Sequence, residues 1–151
     1  MSSNLVPPHG FHPLVLPGGY FEEFGPLYAR LDEAVPVLGF RAGRQHMNPL
    51  GDCHGGVISA FADMQALGAQ QVAGINDRYT PTVSLSVDYV APTKLGAWVQ
   101  MRVELLCATR SLLFSQATIT ADSRLIARSS AVYAIGQSPR YRREFLEPLF
   151  R

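Results

Sequence analysis

Residues 54–72 read HGGVISAFADMQALGAQQV, and the period of this stretch decides the fold. On a wheel of about 100° per residue, Val57, Ala60, Phe61, Met64, Leu67, Gly68 and Val72 fall on one side. Ser59, Asp63, Ala66 and Gln70 fall on the other. The spacing predicts one long helix that ends near Gly74, where glycine relieves a left-handed C-terminus.

Downstream the period changes from about 3.6 to 2. Val83, Leu85, Val87 and Tyr89 alternate with Ser84, Ser86 and Asp88. Ala97, Val99, Met101, Val103 and Leu105 alternate with Trp98, Gln100, Arg102 and Glu104. Two further strands are expected over 111–121 and 125–135. Connections at 91–96, 107–110 and 122–124 are short, so the four strands are expected to pair as an antiparallel meander.

Upstream, 37–44 is strand-like with poor alternation, and 45–53 is a polar loop. Residues 20–33 carry Phe21, Phe24, Leu27, Tyr28 and Leu31 at helical spacing, which predicts a short helix halted by Pro36. Residues 1–19, with Pro7, Pro8, Pro13 and Pro17, read as an arm. The expected organisation is an arm and short helix (1–36), one α+β domain (37–136) and a C-terminal tail (137–151). One helix against a sheet leaves surface over on both layers, so self-association is expected.

Composition narrows the function. The chain has 151 residues, a net charge of +1 and 47% apolar residues. That suits one globular domain and offers no strong field for nucleic acid. The basic cluster is confined to Arg140, Arg142 and Arg143. No apolar run approaches the ~18 residues of a membrane span. The N-terminus lacks the pattern of a signal peptide, and Cys53 and Cys107 suggest no disulfide framework. A cytoplasmic protein is expected. His9, His12, His46 and His54 lack metal-ligand spacing, so no metal is expected.

Chemistry concentrates in Asn48-Pro-Leu-Gly-Asp-Cys-His54-Gly55-Gly56 and the helix that follows. The first amides of a helix have no intrahelical acceptor. Glycine at 55 and 56 lets another molecule reach them, and the helix dipole favours a developing oxyanion. Gly55 and Gly56 equally suit a tight turn. Asp63 is the one charge in its helix, on a weakly polar stripe that suits a cleft or an interface. The two features stand eight residues apart, about 12 Å along the axis. They can serve one carbonyl only if a second copy supplies one of them, across a two-fold axis. Asn48 is either a donor to a carbonyl or an Asx-turn residue. His54 is a polarising group, a helix cap or a packing residue. Thr82 opens the first strand after the helix, where a hydroxyl could steady a water beside Asp63. Asp52 adds a negative charge that must turn away from the oxyanion position. Cys53, just before a helix start, is an alternative nucleophile candidate.

The spacing Asn48-x5-His54-Gly55-Gly56-x6-Asp63, followed by 82–96 (TVSLSVDYVAPTKLG), resembles the PaaI-like branch of hotdog thioesterases over about residues 37–136. The resemblance implies an α+β hotdog fold: a long central helix wrapped by a five- to six-stranded antiparallel sheet. It implies a homodimer, often a homotetramer, with an acyl-CoA as substrate and no cofactor beyond that CoA thioester. Carried over by position, Gly55 and Asn48 polarise the thioester carbonyl. The partner's Asp63 acts as base or nucleophile, Thr82 places water, and His54 lies near the sulfur. CoA contacts would fall on Gly56, Tyr89, Pro92, Thr93 and Lys94, and on Thr109 and Arg110. The competing expectations are a hotdog enoyl-CoA hydratase or dehydratase, and a non-catalytic acyl-CoA-binding protein.

Overall fold

A computed structural model describes residues 6–16, 19–32 and 34–137. The strands are β1 (His12–Leu14), β2 (Leu27–Asp32), β3 (Val35–Arg41), β4 (Thr82–Tyr89), β5 (Trp98–Ala108), β6 (Leu112–Ala121) and β7 (Arg124–Ala134). The helices are α1 (Tyr20–Phe24), α2 (Gly55–Asp63) and α3 (Gln65–Ala73). All seven strands form one sheet in the order β1-β2-β3-β5-β6-β7-β4, every neighbouring pair antiparallel. The sheet wraps α2 and α3, which is the expected α+β hotdog architecture.

The sheet has seven strands, not five or six, because 1–36 is more than an arm and a short helix. The helix expected over 20–33 stops at Phe24. Gly25 is already extended, and Pro26 has no N–H with which to continue a helix. Leu27 and Ala29 then bury alternate positions of a strand. Leu27 and Leu31, four residues apart, fit either period, and the Gly-Pro step decides between them.

The expected four-strand meander is also corrected. Strands β5, β6 and β7 do follow one another, but β4 pairs with β7 at the sheet edge and β5 pairs with β3. The crossing is made by 91–96. The Cys53 amide donates to the Thr93 carbonyl at 2.7 Å, and Asp52 forms an isolated bridge to Lys94. Burial explains the choice. Val99, Met101 and Val103 of β5 are fully enclosed, whereas β4 has no buried residue and sits at the periphery.

The core joins Leu38, Phe40, Phe61, Val99, Met101 and Ile119. Phe40 meets Phe61 edge-on at 4.8 Å and Phe24 at 4.9 Å. Burying one such ring contributes roughly 2–3 kcal/mol. A separate cluster of Phe11, Val37 and Trp98 covers the other face of β3. This explains the poor alternation of that strand, which is buried on both sides. Trp98 lies across Gly39, where a Cβ would stand 2.3 Å from the indole.

The long helix is broken once. Met64 ends α2 and starts α3, with φ −67° and ψ −6°. The break rotates the buried stripe, so Gln65, Ala69 and Gln70 are enclosed while Val72 is 48% exposed. Gln65 is enclosed because its amide is satisfied on three sides. Its Nε2 donates to the Ala62 carbonyl and to Ser129 Oγ, each at 2.9 Å. Its Oε1 accepts from Ser115 Oγ at 2.8 Å. Gln70, on the weakly polar stripe of the wheel, donates to the Arg78 carbonyl and Thr80 Oγ1.

Candidate active site

The start of α2 leaves one amide open. The Gly56 N–H donates to His54 Nδ1 at 2.8 Å. The Val57 and Ile58 amides donate to the His54 carbonyl at 2.9 and 3.3 Å. Among the described residues the Gly55 N–H alone of this turn has no acceptor, and it lies at the positive end of the helix. His54 is thus the N-cap. Because its Nδ1 accepts, the neutral ring carries its proton on the exposed Nε2, which can donate outward. Gly56 is required for this cap: a Cβ there would stand 2.9 Å from Nδ1. Gly55 is under no such constraint, its nearest neighbour being the Tyr89 ring at 3.5 Å.

The loop before the helix is held from two sides. Asn48 Oδ1 accepts from the Leu50 and Asp52 amides at 2.9 and 3.1 Å, so Asn48 is an Asx-turn residue. Using its oxygen this way leaves its NH2 as the free donating end. Asp52 turns to Lys94, with Nζ 2.5 Å from Oδ1. The extra negative charge is thereby matched, and Lys94 is engaged within its own chain. Cys53 is buried, and burial pushes its thiol up to about 11. This argues against a thiolate nucleophile.

His46 pins the same loop to the N-terminal strands. Its buried ring accepts from the Gly43 N–H at Nδ1 (2.9 Å) and donates from Nε2 to the Phe24 carbonyl (2.7 Å). Its own carbonyl accepts from the His54 amide at 2.8 Å. Burial holds its pKa below the ordinary 6.5, against the raising effect of the Phe24 bond. The unfolded chain therefore takes up this proton first as pH falls. Stability is complete above about pH 6.5 and is expected to decline from there toward the native pKa. Denaturant midpoints between pH 7.5 and 5 should fall in wild type and fall less in His46→Gln.

Asp63 closes α2 and meets two strands. Thr82 Oγ1 donates to its carboxylate, at 2.8 Å from Oδ1 and 3.0 Å from Oδ2. The Tyr133 hydroxyl lies 2.7 Å from the Asp63 carbonyl oxygen and 3.2 Å from Oδ1. Thr82 and Tyr133 are cross-strand partners of β4 and β7, with a register shift just after Thr82. The sequence reading found Asp63 and Thr82 but missed Tyr133. Its signal was a phenol ending an inward row of small residues, Ala127, Ser129 and Ala131. A buried tyrosine there needs a partner for its hydroxyl.

The residues assigned to CoA fall in two places. Tyr89 is exposed and donates to the Gly55 carbonyl at 2.9 Å; it also shares a hydrogen bond with Ser59. Pro92 and Lys94 are exposed nearby, but Thr93 is buried. Thr109 shapes its own turn, its Oγ1 accepting from the Leu112 amide at 3.0 Å. Arg110 is exposed at the tip of that turn. Register places this turn near Asp63, because Thr82 pairs with Tyr133 and Tyr133 with Leu113. A concavity of about 810 Å³ lies elsewhere, lined in part by Arg102, Glu104, Gln116, Thr118 and Arg128. Its arginines are already paired, Arg102 with Asp32 at 2.8 Å and Arg128 with Asp88 at 2.9 Å.

The family model of the thioesterase superfamily matches residues 50–127, just over half of the chain. The curated protein "Putative esterase PA0474" of Pseudomonas aeruginosa is 27% identical over 127 residues, covering 83% of this chain and 95% of that protein. A mutant of the phenylacetic acid degradation protein PaaI from Thermus thermophilus superposes with a TM-score of 0.66 at 22% identity, over 76% of this chain and 96% of that one. A hypothetical thioesterase of Streptococcus pneumoniae, solved with coenzyme A, gives 0.65 at 16% identity, over 76% and 91%. No helix among the described residues is long and apolar enough to cross a membrane. With more than half of its length matched, and with the helix start and Asp63 inside the matched span, the chain belongs to the thioesterase superfamily.

Proposed function

We propose that the protein is an acyl-CoA thioesterase whose active site is completed by a second copy of the chain. The observation that carries this reading is the placement of two groups along one helix and one edge strand. The open Gly55 amide and the Asp63 carboxylate stand at opposite ends of α2, about 12 Å apart by helical rise. Gly55 is tied to Tyr89 at the end of β4, and Asp63 to Thr82 at its start. Strand β4 is one of the two edge strands, with Val83 at 61% and Tyr89 at 55% exposure. A strand edge with apolar side chains invites pairing. If β4 pairs antiparallel with its own copy, the start of one strand meets the end of the other. Asp63 of one subunit is then brought toward Gly55 of the next.

In that arrangement the Gly55 N–H and the Asn48 NH2 receive the thioester oxygen, and they hold it more strongly as it becomes negative. The Asp63 carboxylate takes the proton of a water held with Thr82, and that water adds to the carbonyl carbon. The tetrahedral intermediate collapses, the C–S bond breaks, and the thiolate leaves toward the Nε2–H of His54. The products are a free acid and CoA. Lys94 and Arg110 reach the CoA phosphates from opposite sides of the interface, Lys94 by giving up Asp52. The coenzyme A bound by the Streptococcus pneumoniae relative supports this choice of substrate.

The test is free-thiol release from short, medium, long and aryl acyl-CoAs, with the assembly measured by sedimentation. Turnover by a dimer or tetramer is expected. Water addition to an enoyl-CoA without thiol release would make it a hydratase. Thermal protection by CoA with no turnover would make it a binding protein.

A further inference from the structure

We infer that Tyr133 is the positioning residue of this site: its phenol fills the break between α2 and α3 and fixes where the Asp63 carboxylate stands. The inference rests on Asp63 being the base.

In an unbroken helix the Asp63 carbonyl would accept from the amide of Leu67. Here the Leu67 amide donates to the Met64 carbonyl instead, at 3.0 Å, and the Met64 amide to the Phe61 carbonyl, also at 3.0 Å. The Asp63 carbonyl is thereby released, and the Tyr133 hydroxyl takes it at 2.7 Å. One side chain therefore sits within the ladder of helical hydrogen bonds, a recognised cause of a sharp break. The break falls on the residue after Asp63, and the same hydroxyl is 3.2 Å from Asp63 Oδ1.

The phenol is well suited to this. It is fully enclosed. Burial, with the nearby Asp63 charge, pushes its pKa far up, so it remains a donor. It stands opposite Thr82 across β7 and β4, so two adjacent strands hold one carboxylate from two directions. The enclosed Gln65–Ser115–Ser129 network braces the first residue of α3 independently, without touching the carboxylate.

The test is Tyr133→Phe in the full-length protein, assayed for thiol release. The expected result is kcat lowered about 10- to 100-fold with KM changed less than about twofold, since small misplacement of a reacting group has costs of this size. In the residual turnover of Asp63→Asn the same substitution should cause no further loss, because the phenol acts through the carboxylate. Ser115→Ala, which cuts the Gln65 network, should lower the melting temperature and leave kcat unchanged. Should Tyr133→Phe fail to fold, 3,5-difluorotyrosine at 133 keeps the ring and hydroxyl but alters donor strength, and should change kcat at least about threefold. Wild-type kcat in Tyr133→Phe, no change with difluorotyrosine, or a further loss on top of Asp63→Asn would each overturn the inference. If Asp63→Asn is inactive while Tyr133→Phe is normal, only this inference falls. If Asp63→Asn is fully active, the base assignment falls with it.

Discussion

Asp63→Asn should lower kcat for acyl-CoA hydrolysis by about a thousandfold, within the 10²–10⁴ range that proton transfer by a positioned group supplies. The substitution is nearly isosteric. The side-chain oxygen can still accept from Thr82 Oγ1, which now lies 2.8 Å from Oδ1. The Tyr133 bond to the backbone carbonyl is untouched. The fold and the acyl-CoA complex should therefore survive, with KM within about threefold and an unchanged melting temperature. What is lost is the capacity to take a proton from water. Thiol-release kinetics with a thermal melt on the same sample check this. Near-normal turnover would remove Asp63 from the mechanism, and a large fall in melting temperature would make its role structural.

Gly55→Pro should be as damaging to catalysis and nearly harmless to the fold. Position 55 is the first residue of α2, where proline is well tolerated because the missing N–H has no helical partner. His54, the preceding residue, has φ −60° and ψ 135°, as a residue before proline prefers. The Cβ meets only the Tyr89 ring, at 3.5 Å. The substitution therefore deletes a single hydrogen-bond donor. Loss of an oxyanion donor costs about 10²–10³ in kcat. Mixing the two dead variants then tests the shared site. After subunit exchange half of the dimers are mixed, and each mixed dimer has one site with intact Gly55 and intact Asp63 and one with neither. Recovery to about a quarter of wild-type activity is expected. No recovery, with exchange verified by mass spectrometry, would mean that both groups act within one chain or that they do not act together.

Much of this was legible in the sequence because it depends on neighbours along the chain. Helical period over 54–72 placed α2 and α3, and alternation placed β4 to β7. Two glycines at a helix start and one acid on a weakly polar stripe marked the candidate site. Under the proposed mechanism, their separation along the rod calls for a second copy. At Asn48 and His54, contacts with residues a few positions away make the Asx turn at 48 and the cap on Gly56, and each leaves a donor on the same side chain for the role proposed above.

The rest was set by contacts distant in sequence, which no local period encodes. Residues 27–31 became a strand because Gly25 and Pro26 end α1 and β3 offered a partner. Strand β4 went to the edge because β5 had more to bury. Asp52 was matched by Lys94, which the crossing connection brings to it. The long helix broke at Met64 because a phenol on β7 took the Asp63 carbonyl. Sequence alone thus determined the elements from α2 onward and marked the candidate residues at the helix start and at Asp63, since propensity and spacing are properties of adjacent residues. Tertiary structure decided strand order, the break and the orientation of the carboxylate, since these depend on which distant polar groups find partners once the core has closed.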